Sequence, residues 1–183
     1  EAGKNVLFEG AQAVMLDVTK GSVPYVTSSN TIAAAAYTGG DLSPQYHRKT
    51  IGVAKAIMSR VGYGPFPSEF GGKKSEEHCM AQDEGKPKYG RQVEEECDLE
   101  KHLSSGDEFQ MGVALRILSG EYGVVSTRPR RVGALDLVQL NYAIKMNGVT
   151  ELAINKFDLL KEYSRTAKGQ VPLVTSYKLN EKE

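Results

Sequence analysis

The chain has 183 residues, with 23 basic and 23 acidic side chains that leave no formal net charge. Charged residues make up 25% and apolar residues 40%, a balance that excludes a generally basic nucleic-acid binder and an acidic disordered tail. No apolar stretch approaches the roughly 20 residues that cross a bilayer, so neither nucleic acid nor membrane is expected as a partner.

The first residues carry no initiator Met and no signal peptide, and they run straight into an apolar segment. That is the start expected of a chain cut from something longer. Asn5-Val6-Leu7-Phe8-Glu9 predicts a short buried strand ending at Gly10. Turn signals follow at Lys20-Gly21-Ser22 and Pro24. The polar cluster from Val26 to Thr31 then offers caps for a helix over Ala33 to Ala36. Ile51 to Met58 reads as one apolar strand, ending at the turn Gly62-Tyr63-Gly64-Pro65-Phe66-Pro67.

Between residues 71 and 107, 16 of 37 residues are charged, which predicts solvated loops and helices in a mobile excursion reaching to about residue 120. Cys79 and Cys97 lie there in no zinc-binding pattern and are expected as reduced thiols of a cytoplasmic protein. His47, His78 and His102 fall in charged or turn segments and are expected at the surface. Asp107 to Ser119 predicts a helix, Gly120 to Arg131 a loop and Leu135 to Lys145 a second helix with one apolar face. Glu151 to Ile154 predicts a strand with a loop from Asn155, and Val171 to Tyr177 a last strand. Strand, loop and helix alternate, so the expected class is α/β, a mainly parallel sheet flanked by helices.

Three constellations can carry chemistry, and each has a plain structural reading beside the functional one. Asn155-Lys156-Phe157-Asp158 follows a strand. A carboxylate there can accept both the ring N–H and the exocyclic amine of guanine, a pair of donors that adenine lacks. Equally, the segment is an ordinary strand-to-helix loop with Asp158 exposed or capping. Ser126-Thr127-Arg128-Pro129-Arg130-Arg131 sets three arginines within four positions, either a site for a phosphorylated or dicarboxylic ligand or a solvated basic loop. Phe8-Glu9-Gly10-Ala11-Gln12, with Pro24 to Asn30, offers a close backbone approach at Gly10 and neutral donors at Gln12 and Thr27, or simply a polar turn. No Gly-x-x-x-x-Gly-Lys-Ser/Thr loop occurs anywhere.

Together, VLFEGAQ, LDV, PYVTSSNT, VGYGPFPSEF, GEYG, RPRRVGALDLV and INKFDLL resemble the adenylosuccinate synthetase family in order and spacing over nearly the whole chain. GEYG and the segment 71–120 look like that family's compact archaeal or phage branch. The resemblance implies the family's P-loop-NTPase-like fold, with an IMP-binding segment over 1–70, a charged helical excursion over 71–122 and an arginine-rich, guanine-binding segment over 123–183. It implies an enzyme of purine biosynthesis that joins IMP to L-aspartate. GTP phosphorylates the oxygen at position 6 of IMP, and the aspartate amine displaces that phosphate. By resemblance, Gln12 contacts the hypoxanthine and supports charge developing on it, and Thr27 holds the IMP phosphate. Arg128 meets both IMP and aspartate, Val125, Ser126 and Thr127 form the aspartate loop, and Arg130, Asn155, Lys156 and Asp158 hold GTP.

The family's phosphate loop, its catalytic Asp and His and its magnesium ligands have no match here. No metal ligand and no catalytic residue is therefore assigned to this chain, and no turnover is expected from it alone. The family works as a cytoplasmic homodimer. Departures gather where the family has Gly-Ala-Thr-Thr-Gly-Arg and this chain has Gly123-Val124-Val125-Ser126-Thr127-Arg128. Val125 offers no hydroxyl, and Thr127 replaces a glycine. Two alternatives stay open: a phage-type relative that takes dGMP in place of IMP, and a nucleotide-binding module without catalysis.

Overall fold

The computed structural model describes residues 3–178. The chain forms two compact units that interleave in sequence, one running to Gly52 and including Asn141–Leu152, the other made of Val53–Leu140 and the residues from Ala153 on.

The first unit has little regular structure. It contains 3-10 turns at Val14–Leu16 and Pro44–Tyr46 and the short helix α1, Ala35–Gly39. The expected strand over residues 5–9 does not form: Val6 and Leu7 are 68% and 86% exposed. An apolar run holds an extended ladder only when a neighbouring strand completes its hydrogen bonds, and none lies beside this one among the described residues. The alanine helix starts later than expected, and its N-cap, Ala34, makes no side-chain cap. The polar cluster before it serves Asp17 instead, as described below.

The second unit and its borders carry the strands β1 (Ile51–Lys55), β2 (Met58–Arg60), β3 (Gln82–Asp83), β4 (Lys86–Pro87), β5 (Arg131–Gly133), β6 (Leu135–Asp136), β7 (Glu151–Asn155) and β8 (Leu173–Val174). The helices are α2 (Gly72–Met80), α3 (Arg91–Glu94), α4 (Leu99–Ser104), α5 (Glu108–Ser119) and α6 (Leu137–Asn147), with a 3-10 helix at Phe157–Arg165. β1 pairs with β7, and their end bonds, Thr150 N to Thr50 O and Ala56 N to Asn155 O at 2.9 Å each, follow the order of a parallel pair. β6 runs parallel to β8, whereas β2 with β5 and β3 with β4 are antiparallel. The class is α/β, with parallel strand pairs flanked by helices.

The strand expected over Ile51 to Met58 is two strands. Ala56 and Ile57 turn inward, 2% and 0% exposed, and the chain leaves one partner for another between them. The last expected strand shrinks to Leu173–Val174. The helix over residues 108–119 forms as expected, with Asp107 accepting from Gln110 N at 3.0 Å and Gly120 closing it at φ 63°. Its Ala114 and Leu115 join Ile57, Phe70, Leu103, Val132, Ala134 and Tyr163 in the core.

The charged stretch before it is not merely solvated. Cys79, Leu103 and Glu94 are buried, and Glu94 closes an interior network. Arg116, wholly buried, donates from Nε and Nη2 to the Glu94 carboxylate at 2.8 and 2.6 Å. Tyr122 OH donates to it at 2.6 Å, and His78 Nε2 lies 2.7 Å from Oε1. His78 is therefore not a surface residue: it is part-buried, with its ring stacked on Tyr89 at 4.1 Å between centroids. Cys79 and Cys97 form no disulfide, and burial pushes the Cys79 thiol up to about 11.

Burial alone would raise the Glu94 carboxyl, but the bonds from His78, Arg116 and Tyr122 outweigh it and take it from 4.5 down to about 2. With the folded value below the unfolded one, this contribution to stability is complete above about 4.5 and is lost as pH falls toward 2. Glu94→Gln leaves Arg116 buried without its counter-charge and should cost about 3–5 kcal/mol in urea unfolding at neutral pH. The variant should also show a flatter loss of stability than the parent chain between about pH 5 and 3.

Candidate functional site

In the first unit, the segments holding Gln12 and Thr27 are organised by Asp17, which has no exposed surface. Its Oδ1 accepts from Thr19 N, Thr19 Oγ1 and Lys20 N at 2.9 Å each, and its Oδ2 from Thr31 N at 2.6 Å. Burial would raise this carboxyl, but the backbone donors of Thr19, Thr31 and Lys20 hold it well below the usual carboxylate range. Further bonds run between the same two stretches, from Thr27 N to Leu16 O at 2.8 Å and from Thr31 Oγ1 to Ala13 O at 2.7 Å. Thr27 thus sits on a loop tied to residue 16, and Gln12 directly precedes the residue tied to Thr31. Gln12 itself is exposed and adopts φ 68°, a left-handed turn at the end of the Gly10-Ala11 approach.

Asp17 was legible only as part of LDV. The signal that finds it is an Asp after an apolar run and before Thr-Lys-Gly, where a short carboxylate can turn back onto the amides two and three residues on.

In the second unit, Arg128 and Arg130 line a cavity of about 310 Å³ together with Val61, Gly123, Ser126 and Pro129. The Nε of each arginine is buried and meets no acceptor among the described residues. A buried donor without a partner is costly, so two on one cavity suit an anionic ligand. Arg130 also donates from Nη1 to Glu121 Oε2 at 2.9 Å. The third arginine, Arg131, is committed elsewhere: it is buried against Glu69 and donates to the carbonyls of Gly62 and Gly64 at 3.1 and 2.8 Å. It holds the turn beside Val61 and does not offer its fork to a ligand.

Val125, Ser126 and Thr127 form an exposed tip, with Val125 96% exposed. Ser126 Oγ accepts from Arg128 N at 3.3 Å. Thr127 takes φ 53°, the left-handed conformation that glycine adopts freely and a β-branched residue does not.

Asn155 closes β7, and its carbonyl accepts from Ala56 N at 2.9 Å. Lys156 follows at φ 57° and points its ammonium at Glu121 Oε1, 2.9 Å away, and at Ser119 O. Asp158 stands in the first turn of the 3-10 helix, exposed and without a hydrogen bond or ion pair among the described residues. Arg130 and Lys156, far apart in sequence, are therefore brought to one carboxylate. Among the described residues no group of three His, Cys, Asp or Glu side chains could hold a metal ion.

Parallel strand pairs flanked by helices define an α/β protein, and one of its cavities is lined by arginines. A family model described as Adenylosuccinate synthetase matches residues 1–183, and the chain belongs to that family. It is 51% identical over 175 residues to adenylosuccinate synthetase 2 of Cupriavidus pinatubonensis, covering 95% of this chain and 38% of that protein. It is 44% identical over 158 residues to the adenylosuccinate synthetase of Thermoplasma acidophilum, covering 86% and 28%. The structure of fully ligated adenylosuccinate synthetase from Plasmodium falciparum aligns at TM-score 0.61 and 30% identity, over 83% of this chain and 27% of that one. The chain thus spans well under half the length of these relatives.

Thr127→Gly should relieve the left-handed strain, partly offset by the greater freedom of glycine in the unfolded chain. The expected net gain is up to about 1 kcal/mol in denaturant unfolding. Asp17→Asn should accelerate amide exchange at Lys20 and Thr31, read by mass spectrometry, because the cage loses its charge-assisted bonds.

Proposed function

We propose that the chain is the central, ligand-holding portion of an adenylosuccinate synthetase, which joins IMP to L-aspartate at the expense of GTP. The observation that carries this reading is the pair of buried Nε donors on the arginine-lined cavity that find no partner among the described residues, in a unit that also presents the exposed Asp158 carboxylate. In this reading Asp158 accepts the ring N–H and exocyclic amine of guanine, and the Lys156 stem lies along the base, with Asn155 meeting the oxygen at position 6. Arg130 faces the GTP phosphates. Arg128 presents its fork to the carboxylate of aspartate and to IMP, with residues 125–127 closing over the amino acid. In the first unit, Gln12 contacts the hypoxanthine and Thr27 the IMP phosphate, both set by the Asp17 cage.

The chemistry asks these residues to bind and orient rather than to move protons. GTP transfers its phosphoryl group to the position-6 oxygen, which makes that oxygen a good leaving group, and the aspartate amine then displaces phosphate. Arg128 and Arg130 balance negative charge on the groups they hold. His47 pairs with Tyr37, His78 with Glu94 and His102 with the Asp98 carbonyl, and in this reading none of the three is the general acid or base, so the chain alone should not turn over. Magnesium accompanies GTP in such a reaction, and the described residues offer no cluster that fits it. The same reading makes the whole protein a cytoplasmic homodimer.

A thermal-shift panel with GTP, ATP, IMP and dGMP, each with magnesium, tests the proposal. GTP should raise the melting temperature and ATP should not, while the response to IMP against dGMP identifies the acceptor. Equal responses to GTP and ATP, or none to either, would overturn the guanine assignment. Asp158→Asn replaces one acceptor by a donor and should weaken GTP about 10- to 100-fold. The same variant should gain affinity for XTP, whose base carries an acceptor at position 2.

A further inference from the structure

We infer that Glu121 is a positioning residue of the nucleotide site, holding Arg130 and Lys156 at a fixed separation so that the phosphate end and the base end of the nucleotide are set by one carboxylate. The inference rests on the guanine reading given above.

Three cations from three separate segments meet Glu121. Lys55, at the end of β1, and Lys156, just after β7, both lie 2.9 Å from Oε1, and Arg130 lies 2.9 Å from Oε2. The Glu121 side chain is 1% exposed, while the cations keep 35%, 28% and 30% of their side chains open to solvent. The carboxylate is thus the buried post, and the cations are arms that reach from it toward the surface.

The post is itself rigid. Glu121 N donates to Arg116 O at 3.1 Å, and Glu121 O accepts from Arg130 N at 2.9 Å, so its backbone is fixed at both ends to groups of the same unit. Three positive charges on one negative leave the cluster two charges positive, which favours an anionic ligand near it.

The geometry also decides what each arm offers. The Lys156 ammonium is taken up by Glu121 and by the Ser119 carbonyl, so the part left to meet a ligand is its methylene stem, two residues before Asp158. Arg130 spends Nη1 on Glu121 and keeps its buried Nε for a ligand. Glu121 touches no nucleotide itself; it fixes the separation between a base-facing stem and a phosphate-facing fork. Burial would raise its carboxyl, but Lys55, Lys156 and Arg130 outweigh that and take it down to about 2, so the post stays charged through the working pH range.

The test compares the chain with Glu121→Gln and Glu121→Asp, each shown to be folded by circular dichroism, in calorimetric titrations with GTP and with ATP in the presence of magnesium. Glu121→Gln should weaken GTP at least tenfold and shrink the ratio of GTP to ATP affinity. A residue that only supports the fold would lower the melting temperature and leave that ratio unchanged. Glu121→Asp keeps the charge but withdraws it by one methylene, and it should recover part of the ratio. A folded Glu121→Gln with the parent's GTP affinity and ratio would overturn the inference. Should Glu121→Gln not fold, Glu121→Asp decides in its place: an unchanged ratio overturns the inference, and a reduced one supports it. A parent chain that does not prefer GTP to ATP overturns the guanine reading, a result separate from any effect of Glu121.

Discussion

A charged side chain survives inside a protein only if nearly every one of its polar atoms is answered there, and Arg116 shows how this chain meets that demand. Its guanidinium has no exposed surface, and its donors go to the Glu94 carboxylate, the Cys79 sulfur and the Arg130 carbonyl. Because Arg116 lies on α5, Glu94 on α3 and Cys79 on α2, three helices must come together for the charge to be tolerated. The last bond reaches the backbone of the arginine-rich loop. The demand for charge compensation in the interior thus fixes where that loop ends its path along the cavity.

The same device recurs elsewhere in the chain. Asp17 gathers the backbone of residues 19–32 around a carboxylate without exposed surface, and Glu121 gathers Lys55, Arg130 and Lys156. Glu69 does so for Arg131 and, through it, for the turn at Gly62 and Gly64. In each case a buried anion, not an apolar contact, sets the position of an exposed loop. Apolar packing would allow such loops to slide, whereas donors at 2.5 to 2.9 Å from a carboxylate specify both distance and direction. Loops that must meet a ligand in one geometry gain from that difference.

Local signals carried part of this. The helix over 108–119 was legible because Asp107 and Gly120 bracket it and its apolar residues repeat at helical spacing. Position 127 was legible from the resemblance as one of special backbone angle, and Thr127 does adopt φ 53°. Strands were the weak point. Residues 5–9 and 51–58 carry the composition of strands, yet one forms none and the other divides, because a strand exists only where a partner lies beside it. His78 looked like a surface residue since its neighbours in sequence are charged. It is drawn inward by Glu94, 16 residues on.

The sequence by itself determined the family, the α/β class and which side chains carry forked donors or paired acceptors, because motif order and donor–acceptor chemistry are local properties. Tertiary structure alone decided which of those residues keep free atoms. It committed Arg131 to Glu69, left the Nε of Arg128 and Arg130 without partners among the described residues, and fastened Lys156 to a glutamate 35 positions away while leaving Asp158 exposed. The reason is electrostatic: burial makes an unpaired charge so costly that each one takes the nearest counter-charge in space, and distance along the chain says nothing about which that will be.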